Sequence, residues 1–437
     1  MTSTICSPVS PAVPPGPVPG ALPARHRWKV LAAGVCANAA FSVAFSGIPM
    51  TAVLMRSSYQ LDAGTLGLML GLMGLGIALS EMPWGVLTDR WGDRPVLLAG
   101  LSGTALALAA MALWAAPTAA GQVPALPRLA AGLVLVGLLG GSVNGASGRA
   151  IMQWFSDGER GLAMSIRQTA VPLGGALGAL LLPVLALHGG FAAVYGVLAA
   201  LCLLAALMAA AWVCEPAQAP GIAAAVPASG PGGPLRDART WRLAAGIGLS
   251  CGPQFAVLSF GTVFLHDFVH ATLASITATM AAVQIGAMAL RVWSGRWTDR
   301  HRNRPAYLRA CCAVSALLFA AMALLAGSGH GSGGEGLAPF AHWLLLALLA
   351  ASGLCVSAWH GVAFTELAVR AGAGRAGTAL GMANTSVFVV CFLVPLLIPH
   401  LLVPWGWGAV WGAAAVGALA GRWLMVPPVP AASCHGR

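Results

Sequence analysis

The sequence predicts an all-α integral membrane protein with twelve transmembrane helices in two pseudo-symmetric six-helix halves. Three observations lead to this fold class. The 437 residues are 58% hydrophobic and 8% charged, with a mean hydropathy of +0.82. Apolar runs of about 20 residues, each long enough to cross a hydrocarbon core of roughly 30 Å as a helix, recur along the chain. One charged turn is written twice, as GVLTDRWGDRP at 85–95 and as GRWTDRHRNRP at 295–305, 210 positions apart. A water-soluble chain of this composition would expose its apolar helices and aggregate, so soluble classes are excluded.

The elements follow in order. Residues 1–27 are proline-rich, cannot bury a core and are expected to form a disordered cytoplasmic tail. They do not resemble a signal peptide, because the apolar run comes after them and is flanked by Arg25, Arg27 and Lys29. The first six spans are expected at 30–51, 64–86, 96–116, 128–150, 162–186 and 190–213, within an N-terminal half covering 28–213. Residues 214–240 are rich in Pro, Gly and Ala and predict a flexible cytoplasmic linker. The other six spans are expected at 242–264, 272–293, 307–327, 341–364, 376–399 and 405–426, in a C-terminal half covering 241–426, with 427–437 as a cytoplasmic tail. Prolines and glycines within these spans are compatible with membrane helices, where neighbours satisfy the freed backbone groups.

The basic residues set the orientation. With the amino terminus in the cytoplasm, Arg56 and Arg128 are the two of the 23 Lys and Arg that fall on or beside outside loops. Arg149, Arg167 and Arg291 lie within spans but toward their cytoplasmic ends, and the others flank the cytoplasmic side. This is the positive-inside bias. It accounts for the net charge of +11 without a nucleic-acid partner. Both termini are therefore expected in the cytoplasm, with the protein in a bacterial inner membrane.

The halves read as copies. Gly85 aligns with Gly295, Thr88 with Thr298, Asp89-Arg90 with Asp299-Arg300 and Arg94-Pro95 with Arg304-Pro305. At a spacing of 216, Asn144-Gly145 aligns with His360-Gly361, Gly161 with Gly377, Ala163 with Ala379, Gln168 with Asn384 and Thr169 with Thr385. An insertion near 327–340 absorbs the change of spacing, and Trp28-Lys29 and Trp241-Arg242 open the two halves. Parallel six-span halves are a transporter architecture with a site between them near the midplane.

In these residues the chain resembles the major facilitator superfamily. The family's turn between helices 2 and 3 has the form G-x-L-x-D-R-x-G-R-R/K, matched here by Gly85, Leu87, Asp89, Arg90, Gly92 and Arg94, with Asp93 departing at the first basic position. The second copy keeps Gly295, Asp299, Arg300 and Arg304 but has Trp297 and Arg302 in place of the leucine and glycine. The likeness covers 28–426. It implies alternating access, with Gly85, Asp89, Arg90, Arg94, Asp299, Arg300 and Arg304 forming a conformational latch that holds the outward-open state. Physically, Asp89 is placed to accept hydrogen bonds from a helix N-terminus of the other half. Arg90 and Arg94 are expected to pair with Asp157 or Glu159, and Arg300 or Arg304 with Glu366. A purely topological role is the simpler alternative for these charges. Helix 5 carries Pro172, Gly174, Gly175 and Gly178, loosely like the Gly-Pro motif of family antiporters, although close helix packing explains the same residues.

Charges inside a bilayer are costly and mark functional positions. Here they are Glu81, Arg149, Arg167 and Arg291, with Glu366 just past the end of its span, and His360 is the histidine placed well inside one. Arg167 is the leading substrate-binding candidate, because it has no charged counterpart in the repeat and a guanidinium suits a carboxylate; pairing with Glu81 is its structural alternative. Gln168, Asn38, Gln254, Gln284, Asn384 and Thr385 are further substrate-binding candidates. Glu81 and His360 are the proton-coupling candidates. The ten cysteines show no metal-ligand spacing and read as packing residues, so neither a metal nor a cofactor is expected. The expected function is secondary transport of a small solute, leaning to a small organic anion, with a proton or another ion as possible coupling partner. Drug efflux on the same fold and a non-transporting membrane receptor are the competing readings. A membrane-embedded enzyme is disfavoured, since no nucleophile elbow, HExxH or intramembrane Asp pair is present.

Overall fold

The computed structural model describes residues 25–61, 63–118, 121–215, 233–328 and 339–425, and among these there are helices and turns but no strand. The expectations for residues 1–24, 216–232, 329–338 and 426–437 lie outside the described residues.

Twelve long helices account for the described chain. The first three are α1 (His26–Gly47), α2 (Ala63–Trp91) and α3 (Asp93–Trp114). They are followed by α4 (Leu126–Trp154) and by a continuous stretch, Arg160–Trp212, that breaks at Gly190 into α5 (160–189) and α6 (191–212). The second half repeats the order with α7 (Ala238–Val263), α8 (Leu273–His301), α9 (Arg304–Ser328) and α10 (Phe340–Ala371). The stretch Ala376–Met425 then breaks at Gly406 into α11 (376–405) and α12 (407–425). The expected spans fall on these helices, and α2, α8 and α10 run on past the apolar windows to Trp91, His301 and Ala371. Charge ends the hydropathy signal there but not the helix. Thr88 Oγ1 bonds the Trp84 carbonyl at 2.8 Å, and Asp89 therefore lies inside the last helical turn.

The repeat is also written in the backbone. Gly190 (φ 66, ψ −174) and Gly406 (φ 71, ψ −172) break the two long stretches at positions 216 apart. That region of backbone space is essentially reserved for glycine. Gln60 (φ 55) and His270 (φ 54) stand 210 apart, as do Gly92 (φ 88) and Arg302 (φ 50), which end α2 and α8. The two chain halves thus turn the same corners with partly different residues.

Packing follows from the membrane as solvent. Leu106, Leu113, Leu317, Leu324 and Val403 point outward, more than 70% exposed, where a lipid-facing surface requires apolar side chains. Inside the second half, Phe264, just past the end of α7, meets Trp407 and Trp411 of α12 with ring centroids 5.1 Å from each. Asp237 caps α7, accepting from the Arg239 and Thr240 amides at 3.1 and 3.2 Å and from Thr240 Oγ1 at 2.7 Å. The Thr240 hydroxyl, with these amides, holds the Asp237 carboxyl below the usual carboxylate range.

The halves meet through α2 against α11, α5 against α8 and α10, and α4 against α11. Only the first part of α5, up to Gln168, packs on α8; the remainder packs on α1. The halves are therefore joined at the end that carries the charged turns and part along α5 and α8 toward the other end. Further up, Phe45 of α1 and Phe388 of α11 meet edge to face at 5.3 Å.

Candidate functional site

The two charged turns form one device, built twice. Asp89 accepts from the backbone N–H of Gly377 (2.9 Å, Oδ1) and of Thr378 (2.7 Å, Oδ2) at the start of α11. Asp299 accepts from Gly161 (3.1 Å, Oδ1) and Leu162 (2.8 Å, Oδ2) at the start of α5. The first amides of a helix have no partner within it and carry the positive end of its dipole, so a carboxylate suits both. Each bond pair crosses from one half to the other. Glycine lets the backbones close: a Cβ on Gly85 would meet the Gly377 carbonyl, and one on Gly295 would meet the Gly161 carbonyl.

The arginines behind these carboxylates differ from the expected ones. Arg149 of α4 stands 3.3 Å from Asp89 and 2.9 Å from Asp93. Asp93, the residue that departs from the family pattern, is thus matched by a buried cation. Behind Asp299 stands Arg304, at 3.0 Å, which also reaches across the halves to the Asp157 carbonyl (2.8 Å) and carboxylate (3.3 Å). Asp157 is therefore held by Arg304 of the other half, not by Arg90 or Arg94. Glu159 is taken by Arg27 at 2.6 Å and Glu366 by Arg370 at 2.8 Å, so neither serves the expected partner. Arg94 is exposed and donates to the Ala210 carbonyl at 2.8 Å, while Arg90 and Arg300 are exposed. The reason is helical geometry. Consecutive residues do not share a face, so when Asp89 and Asp299 face the opposite half, Arg90 and Arg300 turn away.

Deeper in the bundle, polar side chains gather in two clusters related by the repeat. In the first, the fully buried Glu81 of α2 accepts from Asn144 Nδ2 (2.5 Å) of α4 and from Asn384 Nδ2 (3.3 Å) of α11. Arg167 of α5, 1% exposed, lies within electrostatic reach of Glu81 and donates to Ser147 Oγ at 3.2 Å and to Met164 Sδ at 3.3 Å. In the second cluster Arg291 of α8, 3% exposed, donates to the Ser357 carbonyl (3.1 Å) and to the Gln168 carbonyl of the other half (2.8 Å). His360 of α10 shares the Ser357 carbonyl at 3.1 Å, stacks on Trp359 at 4.0 Å and lies 4.0 Å from Cys251 Sγ. Gln254 of α7 donates to Ser357 Oγ at 3.2 Å.

The spacings place Glu81 opposite Arg291, Asn144 opposite His360 and Gln168 opposite Asn384. The same joint, α2 to α11 and α8 to α5, thus carries a carboxylate in one half and a guanidinium in the other. The clusters bring together Arg167, Gln168, Gln254, Asn384, Glu81 and His360. Asn38 is buried with its Nδ2 unpartnered, Thr385 Oγ1 is likewise unpartnered, and Gln284 is half-buried, so these three are not joined to either cluster by a hydrogen bond. Asn144, Ser147, Ser357 and Cys251 were not among the expected site residues. The pairing of Asn144 with His360 in the repeat was the available signal. A groove of ≈ 620 Å³ between α9 and α12, lined by Ala323, Leu324, Gly327, Trp405 and Gly408, lies on the outer face, away from both clusters.

The family profile described as Major Facilitator Superfamily matches residues 33–334. The chain belongs to the major facilitator superfamily. It is 29% identical over 409 residues to an uncharacterized MFS-type transporter of Mycobacterium tuberculosis strain H37Rv, Rv2994, with 92% of this chain and 85% of that one aligned. A second uncharacterized MFS-type transporter, MT3072 of the CDC 1551 strain, is 29% identical over 411 residues, with the same two shares aligned. Among solved structures, the MFS proton:xylose symporter XylE superposes with a TM-score of 0.70 at 15% identity, covering 92% of this chain and 95% of that one. The human organic anion transporter MFSD10 superposes with a TM-score of 0.65 at 18% identity, covering 91% and 99%. At such identities the likeness is one of fold. Membership makes the chain an integral membrane transporter by class rather than an enzyme.

Proposed function

We propose that this protein is a secondary transporter that carries a small organic anion by alternating access. The halves 28–213 and 241–426 rock as bodies about the central clusters, joined by the linker 214–240. One observation supports the anion: the clusters hold two buried guanidinium groups, Arg167 and Arg291, against one buried carboxylate, Glu81. A site with one uncompensated positive charge favours an anion and repels a lipophilic cation. Glu81 and His360 remain the groups through which a proton could be coupled. Among the proteins of similar fold, MFSD10 is named an organic anion transporter.

The test is counterflow in proteoliposomes loaded with a labelled monocarboxylate, glucose or tetraphenylphosphonium. Accumulation of the carboxylate alone is expected. Transport of the phosphonium alone would favour drug efflux, and binding without flux of any solute would favour a receptor.

The charged turns and both termini are proposed to face the cytoplasm, on the strength of the basic residues gathered there. An impermeant maleimide applied to intact cells should then label Ser332→Cys in the 327–340 loop and spare Ser229→Cys in the linker. The reverse pattern would invert the topology and make the closed end the outer one.

A further inference from the structure

Arg167 and Arg291 look alike in sequence, each a lone arginine within an apolar span. Their surroundings separate them. Arg167 shares its cluster with a carboxylate, the fully buried Glu81. Among the described residues no carboxylate pairs with Arg291, and its partners are two backbone carbonyls, of Ser357 and Gln168. A guanidinium carries five donors. Nε is spent on Ser357 and NH1 bonds Gln168, which leaves NH2 without a hydrogen bond among the described residues and able to meet a carboxylate oxygen. Beside it, Gln254 hangs from the same Ser357 through Nε2, and its buried Oε1 has no partner. A buried acceptor without a donor is costly. A ligand hydroxyl one or two bonds from the carboxylate would satisfy it.

We infer that Arg291 and Gln254 form the substrate-recognition site of this transporter, and that it takes a small monocarboxylate bearing a hydroxyl group close to the carboxylate. This rests on the transport reading above and names its ligand class. One cation in a buried setting compensates one negative charge; a dicarboxylate would bring a second that only Arg167, which shares its cluster with Glu81, could meet. Arg291 also bonds Gln168 across the halves, so an anion that engages this guanidinium acts directly on an inter-half contact.

The experiment is binding to the purified full chain in detergent, by thermal shift and calorimetry, with lactate, propionate, succinate, glucose and tetraphenylphosphonium as probes. Lactate should stabilise the wild type most, propionate less and succinate less again. Arg291→Gln should weaken lactate binding by about a hundredfold, and Arg291→Lys by at least about tenfold, because the ammonium lacks the fork. Gln254→Leu should erase the preference for lactate over propionate, a ratio that keeps the assignment testable even if Arg291→Gln does not fold. Lactate binding that survives Arg291→Gln, a lactate preference that survives Gln254→Leu, or a wild type stabilised only by glucose or the phosphonium would each overturn the site. Lactate binding that depends on Arg291, without lactate flux in vesicles, would instead keep the site and remove the transport reading.

Discussion

Arg167→Ala is expected to lower the yield and melting temperature of the folded protein sharply, and Glu81→Gln in the same chain is expected to restore much of the loss. Arg167 lies about 10 Å into α5, counting from Arg160 at about 1.5 Å per residue. It is 1% exposed, and its side-chain donors reach Ser147 and Met164. Glu81 is fully buried and receives two asparagine amides, and among the described residues Arg167 is the cation that shares its cluster. Removing the guanidinium leaves the buried carboxylate without the cation of its cluster, and an uncompensated charge in an apolar interior is costly. Glutamine at position 81 keeps the shape, removes the stranded charge and still accepts one amide bond. The double variant should therefore be more stable than Arg167→Ala alone, a coupling that a double-mutant cycle reads directly. The measurement is monodisperse yield and unfolding temperature in detergent. An Arg167→Ala protein of normal stability that has lost substrate affinity would return Arg167 to the binding site, where the sequence alone had placed it.

Asp89→Asn and Asp299→Asn should each open the closed end, and together should open it most. Asparagine keeps the size of the side chain but loses the charge, and its NH2 confronts one of the two helix amides that the carboxylate now receives. Hydrogen bonds to a charged group are worth about 1.5–3 kcal/mol, so each substitution should shift the balance of conformations by roughly ten- to a hundredfold. Because the two devices sit on different helix pairs, their effects should add to within a few tenths of a kcal/mol. Arg90 and Arg300 report on this conveniently, being exposed and on opposite halves. Spin labels at Arg90→Cys and Arg300→Cys should give a short distance in the parent and a longer, broader distribution in the double Asn variant. An unchanged distribution would reduce both aspartates to markers of topology. The cations behind them, Arg149 and Arg304, keep other partners in Asp93 and Asp157, so neither single variant leaves a buried charge unpaired.

The sequence by itself determined the membrane class, the helices and the duplication. A bilayer leaves backbone groups no partner except the helix's own, so apolar length translates almost directly into helices. A repeated charged turn in so apolar a chain is hard to read as anything but a repeated unit. Asp89 facing a helix N-terminus of the other half was legible for the same reason: a carboxylate at the end of one helix needs donors, and the start of another has them to spare. The partners of the arginines were not legible. Arg90 adjoins the latch aspartate in sequence, yet a helix turns about 100° per residue and sends it outward, and Arg94 lies beyond the break at Gly92, while Arg149, sixty positions from Asp89, arrives from a crossing helix. The choice between Arg167 and Arg291 was out of reach too. Hydropathy sees two identical cations in two apolar spans. Only the packing of α2 and α5 against α4, and of α8 against α10, shows that one shares its cluster with a carboxylate and the other has carbonyls.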